Sequence, residues 1–221
     1  MAIQHIAQVD SPALRRFLTD ARTLDTAGTS GHDWLRPARE AALARLEAGG
    51  LPTPRDEDWR FTNLAPLSAT AFRSAGPATK GVRANALAPF VIPDSQGPRL
   101  VFVNGRFAPE LSTLGGLPAG VRVRGLAEAV ATDRDAVEPH LACYESFRGE
   151  AFSALNTAFL SDGAFVSVAR GAVAEAPIHL LYVAVPDGAP VAVHPRTLII
   201  TGEGSQAAIV EDYVSLGQVT D

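Results

Sequence analysis

The last third of the chain carries very few charges, and this feature restricts its fold more than any other. Residues 151–221 contain two basic and seven acidic side chains, whereas residues 1–150 contain 17 of each. The whole net charge of −5 therefore comes from the last 71 residues of a 221-residue chain. Segments with so few charges are expected to be covered on most sides, whereas the first 150 residues have enough charge for a solvated surface.

Strand and turn patterns continue from Gly163 to the end of the chain. Runs rich in Val, Ile and Leu occupy 164–168, 178–185, 197–201 and 206–211. Their irregular spacing allows a β-sandwich, but the long apolar run favours stacked strands that cover one another. We therefore expect a right-handed parallel β-helix. Because no capping helix or polar repeat follows the last run, we expect this β-helix to be incomplete and the chain to be truncated.

Two amphipathic helices are predicted before residue 50. Ser11-Pro12 is a helix start, since a serine can cap the first turn and proline is tolerated there. A second stripe of apolar residues ends at Gly49-Gly50, which is a typical helix stop. We expect these helices to pair in an N-terminal helical domain over residues 1–72, which gives the chain an α+β, mainly β, character.

The middle of the chain predicts a connector and a hairpin. Residues 73–98 are rich in Ala, Gly and Pro and have weak patterning. In the run 100–107, Asn104-Gly105 can supply the positive φ angles that a type I′ turn requires. We expect residues 99–221 to hold this entry hairpin, short helices and the first strands of the β-helix.

Composition excludes several classes of function. Neither part of the chain is basic, so nucleic-acid binding has no electrostatic source. No apolar run approaches the roughly 20 residues needed to cross a bilayer, and the first residues do not resemble a signal peptide, which predicts a cytoplasmic protein without a membrane segment. The single cysteine, Cys143, excludes an internal disulfide framework and any site with several thiolate ligands in one chain.

The histidines and the cysteine are weak candidates for a site. His179 and His194 lie in or beside neighbouring predicted strands, and the strand register could bring them together. Two ligands are too few for a metal site, so we interpret His179 as a hydrogen-bonded strand residue and His194 as a turn residue. Cys143 lies in a helix predicted for 132–144 and is interpreted as a small buried hydrophobic residue.

Three carboxylates support an alternative reading as a β-helix enzyme acting on carbohydrate or acyl substrates. Glu203, Glu211 and Asp212 would supply its acid and base. Adjacent strand residues point to opposite faces, so Glu211 and Asp212 could share a substrate only across a bulge. The acidic run at 56–58 is interpreted as forming local salt bridges or caps. We assign no catalytic, cofactor-binding or metal-binding residue from the sequence.

Residues 51–64, LPTPRDEDWRFTNL, resemble a segment of the SufB/SufD family of the SUF iron-sulfur assembly system, and of its SufD type in particular. The matching residues, in order, are Pro52, Glu57, Trp59, Arg60, Phe61 and Thr62. Phe61 departs from the tyrosine expected at its position. Further similarities, in the same order as in the family, lie at 100–107, 152–158, Asp162-Gly163, 177–178, 195–196 and 208–213.

The resemblance implies a fold and a function for the whole protein. Members have an N-terminal helical domain, a right-handed parallel β-helix and a C-terminal helical domain. A SufD-like chain would be a non-catalytic scaffold subunit that pairs with a SufB-like paralogue and a SufC-like ABC ATPase. The iron-sulfur cluster is assembled by the full complex, and no cofactor is expected in this chain. The open β-helix would also allow self-association.

The family's residues for cluster chemistry and ATPase contact have no matching positions in this sequence, so none is transferred. The cysteine-rich N-terminal stretch of SufB-type members is missing here, which favours the SufD type. Two alternatives stay open at this point. One is the β-helix enzyme using Glu203, Glu211 or Asp212, and the other is a free-standing adaptor without a role in the SUF system.

Overall fold

The structure is a computed structural model, and it describes residues 11–26, 33–75, 82–141, 143, 150–185 and 188–217. The chain divides into two compact units. Unit 1 is drawn from residues 1–74, 142–160 and 189–192, and unit 2 from residues 75–141, 161–188 and 193–221. Within the described residues, no helix has both the length and the apolar character needed to cross a membrane.

The helices, in chain order, are α1 (Pro12–Thr26), α2 (Arg36–Gly49), α3 (Ala65–Ala69), α4 (Leu126–Thr132), α5 (Arg134–Val137) and α6 (Ala151–Ala158). The strands are β1 (Arg73–Ser74), β2 (Arg99–Val103), β3 (Arg106–Phe107), β4 (Val121–Gly125), β5 (Gly163–Val168), β6 (Ile178–Ala184), β7 (Val191–Ala192), β8 (Arg196–Thr201) and β9 (Ile209–Ser215). Short 3₁₀ helices include Ala84–Phe90 and Pro109–Leu111.

Unit 1 is a helical layer with a small parallel pair of strands, β1 and β7. The backbone N–H of Leu14 donates to Ser11 Oγ at 3.1 Å, which is the N-terminal cap predicted for α1. Apolar side chains of α1, α2 and α6 form one core, in which the Phe17 and Phe159 rings meet edge to face at 6.0 Å. Both predicted helices before residue 50 are therefore confirmed, and α6 joins them.

Unit 2 contains two mixed sheets. One has the strand order β3-β2-β6-β9, in which β2–β3 is antiparallel and the other two pairs are parallel. The other has the order β4-β5-β8, with an antiparallel and then a parallel pair. Each sheet therefore has an antiparallel pair on one side and a late strand of the chain, β9 or β8, at its other edge.

The predicted hairpin is confirmed at the start of unit 2. Asn104 and Gly105 have φ angles of 48° and 77°, as a two-residue turn with the twist of the strands requires. The Asn104 side chain extends the pairing beyond β2, because its Nδ2 donates to Val185 O at 3.1 Å and its Oδ1 accepts from Val185 N at 2.8 Å. The turn residue thus fixes the register of β2 against β6.

Both faces of β2 and β6 are buried. One core cluster contains side chains of both sheets, among them Phe102, Val166 and Leu180. The opposite face of the four-stranded sheet forms a second cluster, which includes Val101 and Leu181 and is covered by the 3₁₀ segment 84–90. The absence of charged side chains from β6 therefore has its cause in burial on two sides.

The expected right-handed parallel β-helix is wrong. Unit 2 contains two mixed sheets with antiparallel pairs at β2–β3 and β4–β5, and no solenoid is formed by the residues that the structure describes. In the sequence, continuous apolar runs indicate the stacked strands of a solenoid. A central strand of packed mixed sheets is also covered on both faces, so the same apolar pattern does not separate the two folds.

Asp162 and Gly163 connect three parts of unit 2. The Asp162 carboxylate is 6% exposed and accepts backbone N–H groups from Phe107 at 2.8 Å, Ala127 at 3.0 Å and Gly163 at 2.8 Å. A Cβ on Gly163 would collide with the backbone carbonyl of Arg196 on the paired strand. The pair therefore holds the hairpin, the start of α4 and the β5–β8 contact in fixed positions.

Candidate functional site

The predicted carboxylates lie at the edge of unit 2, on and around the last two strands. Within the described residues, β9 pairs only with β6 and β8 pairs only with β5. Residues 209, 211 and 213 of β9 face the same side as 178, 180 and 182 of β6, because their Cα atoms are paired in register. This face of β9 continues the inner core surface and is partly exposed.

Glu211 belongs to a hydrogen-bonded network that joins the two sheets. The Thr197 hydroxyl on β8 donates to Glu211 Oε1 at 2.6 Å, and the Tyr213 hydroxyl donates to Oε2 at 3.1 Å. Tyr182 OH lies 2.9 Å from Thr197 Oγ1 and must be the donor, since the threonine hydrogen is already used. The carboxylate is thus a structural acceptor between strands of different sheets.

Aromatic rings form a row across the four-stranded sheet beside this network. Phe107 and Phe102 have ring centroids 5.6 Å apart, Phe102 and Tyr182 stack at 4.8 Å, and Tyr182 and Tyr213 stack at 4.9 Å. The last ring, Tyr213, is 66% exposed. The row therefore ends on an aromatic face that is open to solvent.

Both phenols of the network stay protonated at neutral pH. Burial raises the pKa of Tyr182, and the Glu211 charge adds to this effect. Burial and then Glu211 raise the pKa of Tyr213 to about 12. These hydroxyls therefore act as hydrogen-bond donors and not as bases.

Asp212 points to the opposite face of β9. Its Oδ2 is 2.9 Å from Nε2 of His179, which is only 3% exposed on β6. Glu203 lies in a turn, where it pairs with Arg170 at 2.9 Å. The three carboxylates thus have three separate sets of partners. The convergence on one face that the alternative β-helix enzyme requires is not present.

His179, His194 and Cys143 have separate surroundings in the described part of the chain. His179 is a hydrogen-bonded strand residue, as predicted, and its partner is Asp212. His194 lies in the segment before β8, where burial lowers its pKa to about 4 and keeps it neutral. Cys143 is exposed, so its prediction as a buried residue is wrong. The described residues contain no group of three or more metal-ligating side chains.

A second candidate lies in unit 1, in the segment 51–64. The Trp59 ring contacts the Phe152 ring of α6 at 5.1 Å, which attaches the segment to the helical layer. Two residues later, Phe61 is 89% exposed. The Arg60 guanidinium carbon lies 4.6 Å from the centre of the Phe61 ring, and Arg60 Nη1 is 3.3 Å from Glu57 Oε1. We call Arg60 and Phe61 together the Arg-Phe tip.

Hydrogen bonds within the segment order both sides of the tip. Thr53 N donates to Asp56 Oδ2 at 2.7 Å, and Trp59 N donates to Asp56 O at 2.9 Å. On the far side, Thr62 N donates to Trp59 O at 2.9 Å and Ala65 N donates to Asn63 Oδ1 at 3.0 Å. The predicted salt bridge of the acidic run is confirmed by Arg60 and Glu57, whereas Asp56 makes no side-chain hydrogen bond that caps the 3₁₀ turn at 57–59. The sequence showed an aromatic residue at 61 but carried no signal for its exposure.

Comparison with known proteins gives the family. The model for the SufBD protein N-terminal region matches residues 21–180, which cover most of the chain and parts of both units. The chain belongs to the SufBD family. An iron-sulfur cluster assembly SufBD family protein of Synechocystis sp. PCC 6803 is 36% identical to it over 175 residues. The iron-sulfur cluster assembly protein SufD of Escherichia coli K12 is 28% identical over 182 residues.

The aligned parts cover most of this chain but less than half of the relatives. The Synechocystis match covers 79% of this chain and 38% of the relative, and the E. coli match covers 81% and 39%. The chain thus spans about two fifths of the length of these SufBD proteins. The family match confirms the resemblance to the SufB/SufD family.

Proposed function

We propose that this SufBD-family protein is a non-catalytic scaffold subunit of a SUF-type iron-sulfur cluster assembly complex. The observation that carries the proposal is the family match over residues 21–180. The site geometry supports a structural role for the residues that resembled acid and base groups. Glu211 links strands through hydroxyl donors, and Asp212 binds a buried histidine.

The finer assignment concerns its partners and its cargo. The protein pairs with a SufB-like paralogue and a SufC-like ATPase in the cytoplasm, and the complex assembles the cluster before delivery. The cluster is cargo of the complex and is not a resident cofactor of this chain. Support comes from the curated relatives, both of which are described as iron-sulfur cluster assembly proteins, one of them as SufD.

Purification of the full-length gene product from its own cell tests the partner assignment. The tagged protein should recover a paralogue of itself and an ABC-type ATPase in constant ratio through size-exclusion chromatography. A variant with Leu180→Asp, which places a charge in the buried strand β6, should lose both partners together with its fold. Recovery of neither partner by folded wild-type protein contradicts the proposal.

A cluster-transfer assay tests the non-catalytic role. The complex, supplied with iron, a sulfide source and ATP, should load an apo-ferredoxin faster with the protein than without it. Glu211→Gln and Asp212→Asn should leave the rate within about twofold if these carboxylates act only in structure. A loss of about 100-fold in either variant, with the complex intact, would show a catalytic carboxylate.

A further inference from the structure

The Phe61 ring of the Arg-Phe tip is exposed in the described part of unit 1. Burial of a phenyl side chain stabilises a fold, and Phe61 leaves 89% of its surface in solvent. The neighbouring aromatic residue, Trp59, shows that the same segment can reach the helical layer. The segment therefore packs one ring against α6 and leaves the other exposed.

The tip is held in place before any partner arrives. The turn at 53–56, the bond from Thr62 N to Trp59 O and the bond from Ala65 N to Asn63 Oδ1 fix the backbone on both sides of Phe61. The guanidinium over one ring face further limits the side chain. A preorganised contact loses little conformational entropy on binding, which favours affinity.

Arg60 also indicates the charge of the group that a partner presents to the tip. Its ion pair with Glu57 uses Nη1 at 3.3 Å, and its Nε and Nη2 donate no hydrogen bond within the described part of the chain. These two groups can donate to the two oxygens of a carboxylate in a two-point contact. A phosphate-rich partner is disfavoured, because Glu57 has an 81% exposed side chain and Asp58 beside it is also exposed.

We propose that the Arg-Phe tip is a docking site for a protein partner that presents an apolar pocket bordered by a carboxylate. Phe61 fills the pocket, and Arg60 pairs with the carboxylate. Paired aromatic and arginine residues ringed by polar groups are typical of the few residues that dominate binding energy. The proposal is independent of the partner's identity, so it goes beyond the assembly role proposed above.

Crosslinking in the native cell identifies the partner. The full-length protein carries a photoreactive phenylalanine analogue at position 61, and a second version carries it at position 91, where the exposed Val91 of unit 2 serves as the control. The expected result is one protein crosslinked from position 61 and not from position 91. A crosslink within the same polypeptide chain, or no crosslink specific to position 61, overturns the proposal.

Affinity measurements on the purified pair decide the chemistry. Phe61→Ala should weaken binding by about 30-fold and Arg60→Gln by about 10-fold, with partial rescue by Arg60→Lys, while the melting temperature is unchanged. Arg36→Gln, at another exposed arginine of unit 1, and Val91→Ala should have no effect. Removal of the partner's carboxylate should abolish the effect of Arg60→Gln.

The outcomes separate this proposal from the assembly role. If the protein crosslinked from position 61 binds Phe61→Ala with unchanged affinity, the docking site is wrong and the assembly role stands. If Phe61 and Arg60 control binding to a protein outside the SUF system, the docking site stands without support for that role. Binding of the tip to anionic phospholipid vesicles, lost in Phe61→Ala, would replace a protein partner with a membrane and overturn the proposal.

Discussion

Strands β6 and β9 have the same length and lie side by side, yet one is buried and the other is exposed. Each has seven residues, IHLLYVA in β6 and IVEDYVS in β9, and their tyrosines stack directly on each other. β6 has a neighbour on both sides and a core cluster on both faces. Position within the sheet, and not strand composition alone, thus decides how much of a strand is covered.

The differences in sequence follow this difference in position. Glu211 and Asp212 are the register partners of Leu180 and Leu181. Two carboxylates therefore stand where the interior strand has two fully buried leucines, and each has a polar partner within reach. Charges on an edge strand oppose unwanted pairing with other chains, which makes this exchange a useful feature of the edge.

Placing a carboxylate in the interior strand β6 is expected to have the largest effect on the stability of the fold. Leu180→Asp places a carboxylate in a fully buried position and should destabilise the fold by about 4 kcal/mol or more. The reciprocal change, Glu211→Leu, removes two hydrogen bonds at an exposed position and should cost within about 1 kcal/mol. Urea unfolding followed by circular dichroism measures both. Equal losses would show that position in the sheet does not matter.

Two other carboxylates extend the comparison to buried and exposed acceptors. Asp162→Ala leaves three backbone N–H groups without their acceptor and should destabilise the protein by about 3 kcal/mol. Glu203→Ala removes a surface ion pair with Arg170 and should cost less than about 0.5 kcal/mol. Thermal unfolding of both variants and the wild type provides the test. A loss below 1 kcal/mol for Asp162→Ala contradicts its role in joining the three segments.

His194 tests whether the edge strand β8 is anchored at its start. Burial lowers its pKa from 6.5 to about 4, so the unfolded chain takes up a proton that the folded protein resists. Stability should fall as the pH decreases from about 6.5 to about 4, by about 3 kcal/mol from this residue. His194→Gln should flatten the profile over that range relative to the wild type. A profile unchanged from that of the wild type would contradict an anchored start of β8.

A small effect on stability is also expected at the last ring of the aromatic row. Tyr213→Ala removes the stack on Tyr182 and one hydrogen bond, and should cost about 1 kcal/mol. Tyr213→Phe keeps the stack and should cost less than half of that. In the wild type, phenolate absorbance of Tyr213 should appear near pH 12, and Glu211→Gln should shift it to lower pH. An unchanged titration would contradict the coupling between the tyrosine and the glutamate.

Local patterns predicted the elements, but they did not predict the topology. The cap at Ser11 and the turn at Asn104-Gly105 are short-range features, and the structure confirms both. The pairing of β2 with β6 joins residues 99 and 179, and no local signal in the sequence specifies it. Burial on two faces is common to solenoid rungs and to central strands of mixed sheets. The apolar pattern that indicates a β-helix therefore does not distinguish it from packed mixed sheets.

At the candidate sites, too, local patterns predicted backbone geometry but not the contacts between distant residues. The rule that adjacent strand residues face apart correctly separated Glu211 from Asp212, because it depends on backbone geometry alone. The partners Thr197 and His179 come from other strands, so the sequence did not identify them. At the Arg-Phe tip, residue type predicted a buried aromatic as readily as an exposed one. The exposure of Phe61 depends on whether the folded segment brings the ring against other side chains.

The parallel pairing of β2 with β6 has a consequence for synthesis. Arg99 and His179 are register partners 80 residues apart (179 − 99), whereas β3 follows β2 after the two-residue turn. At 5–20 residues per second, the ribosome takes roughly 4–16 seconds to deliver the second partner. During that interval the hairpin presents the open edge of β2, so the nascent chain is most exposed to mispairing before its partner strand β6 has been made.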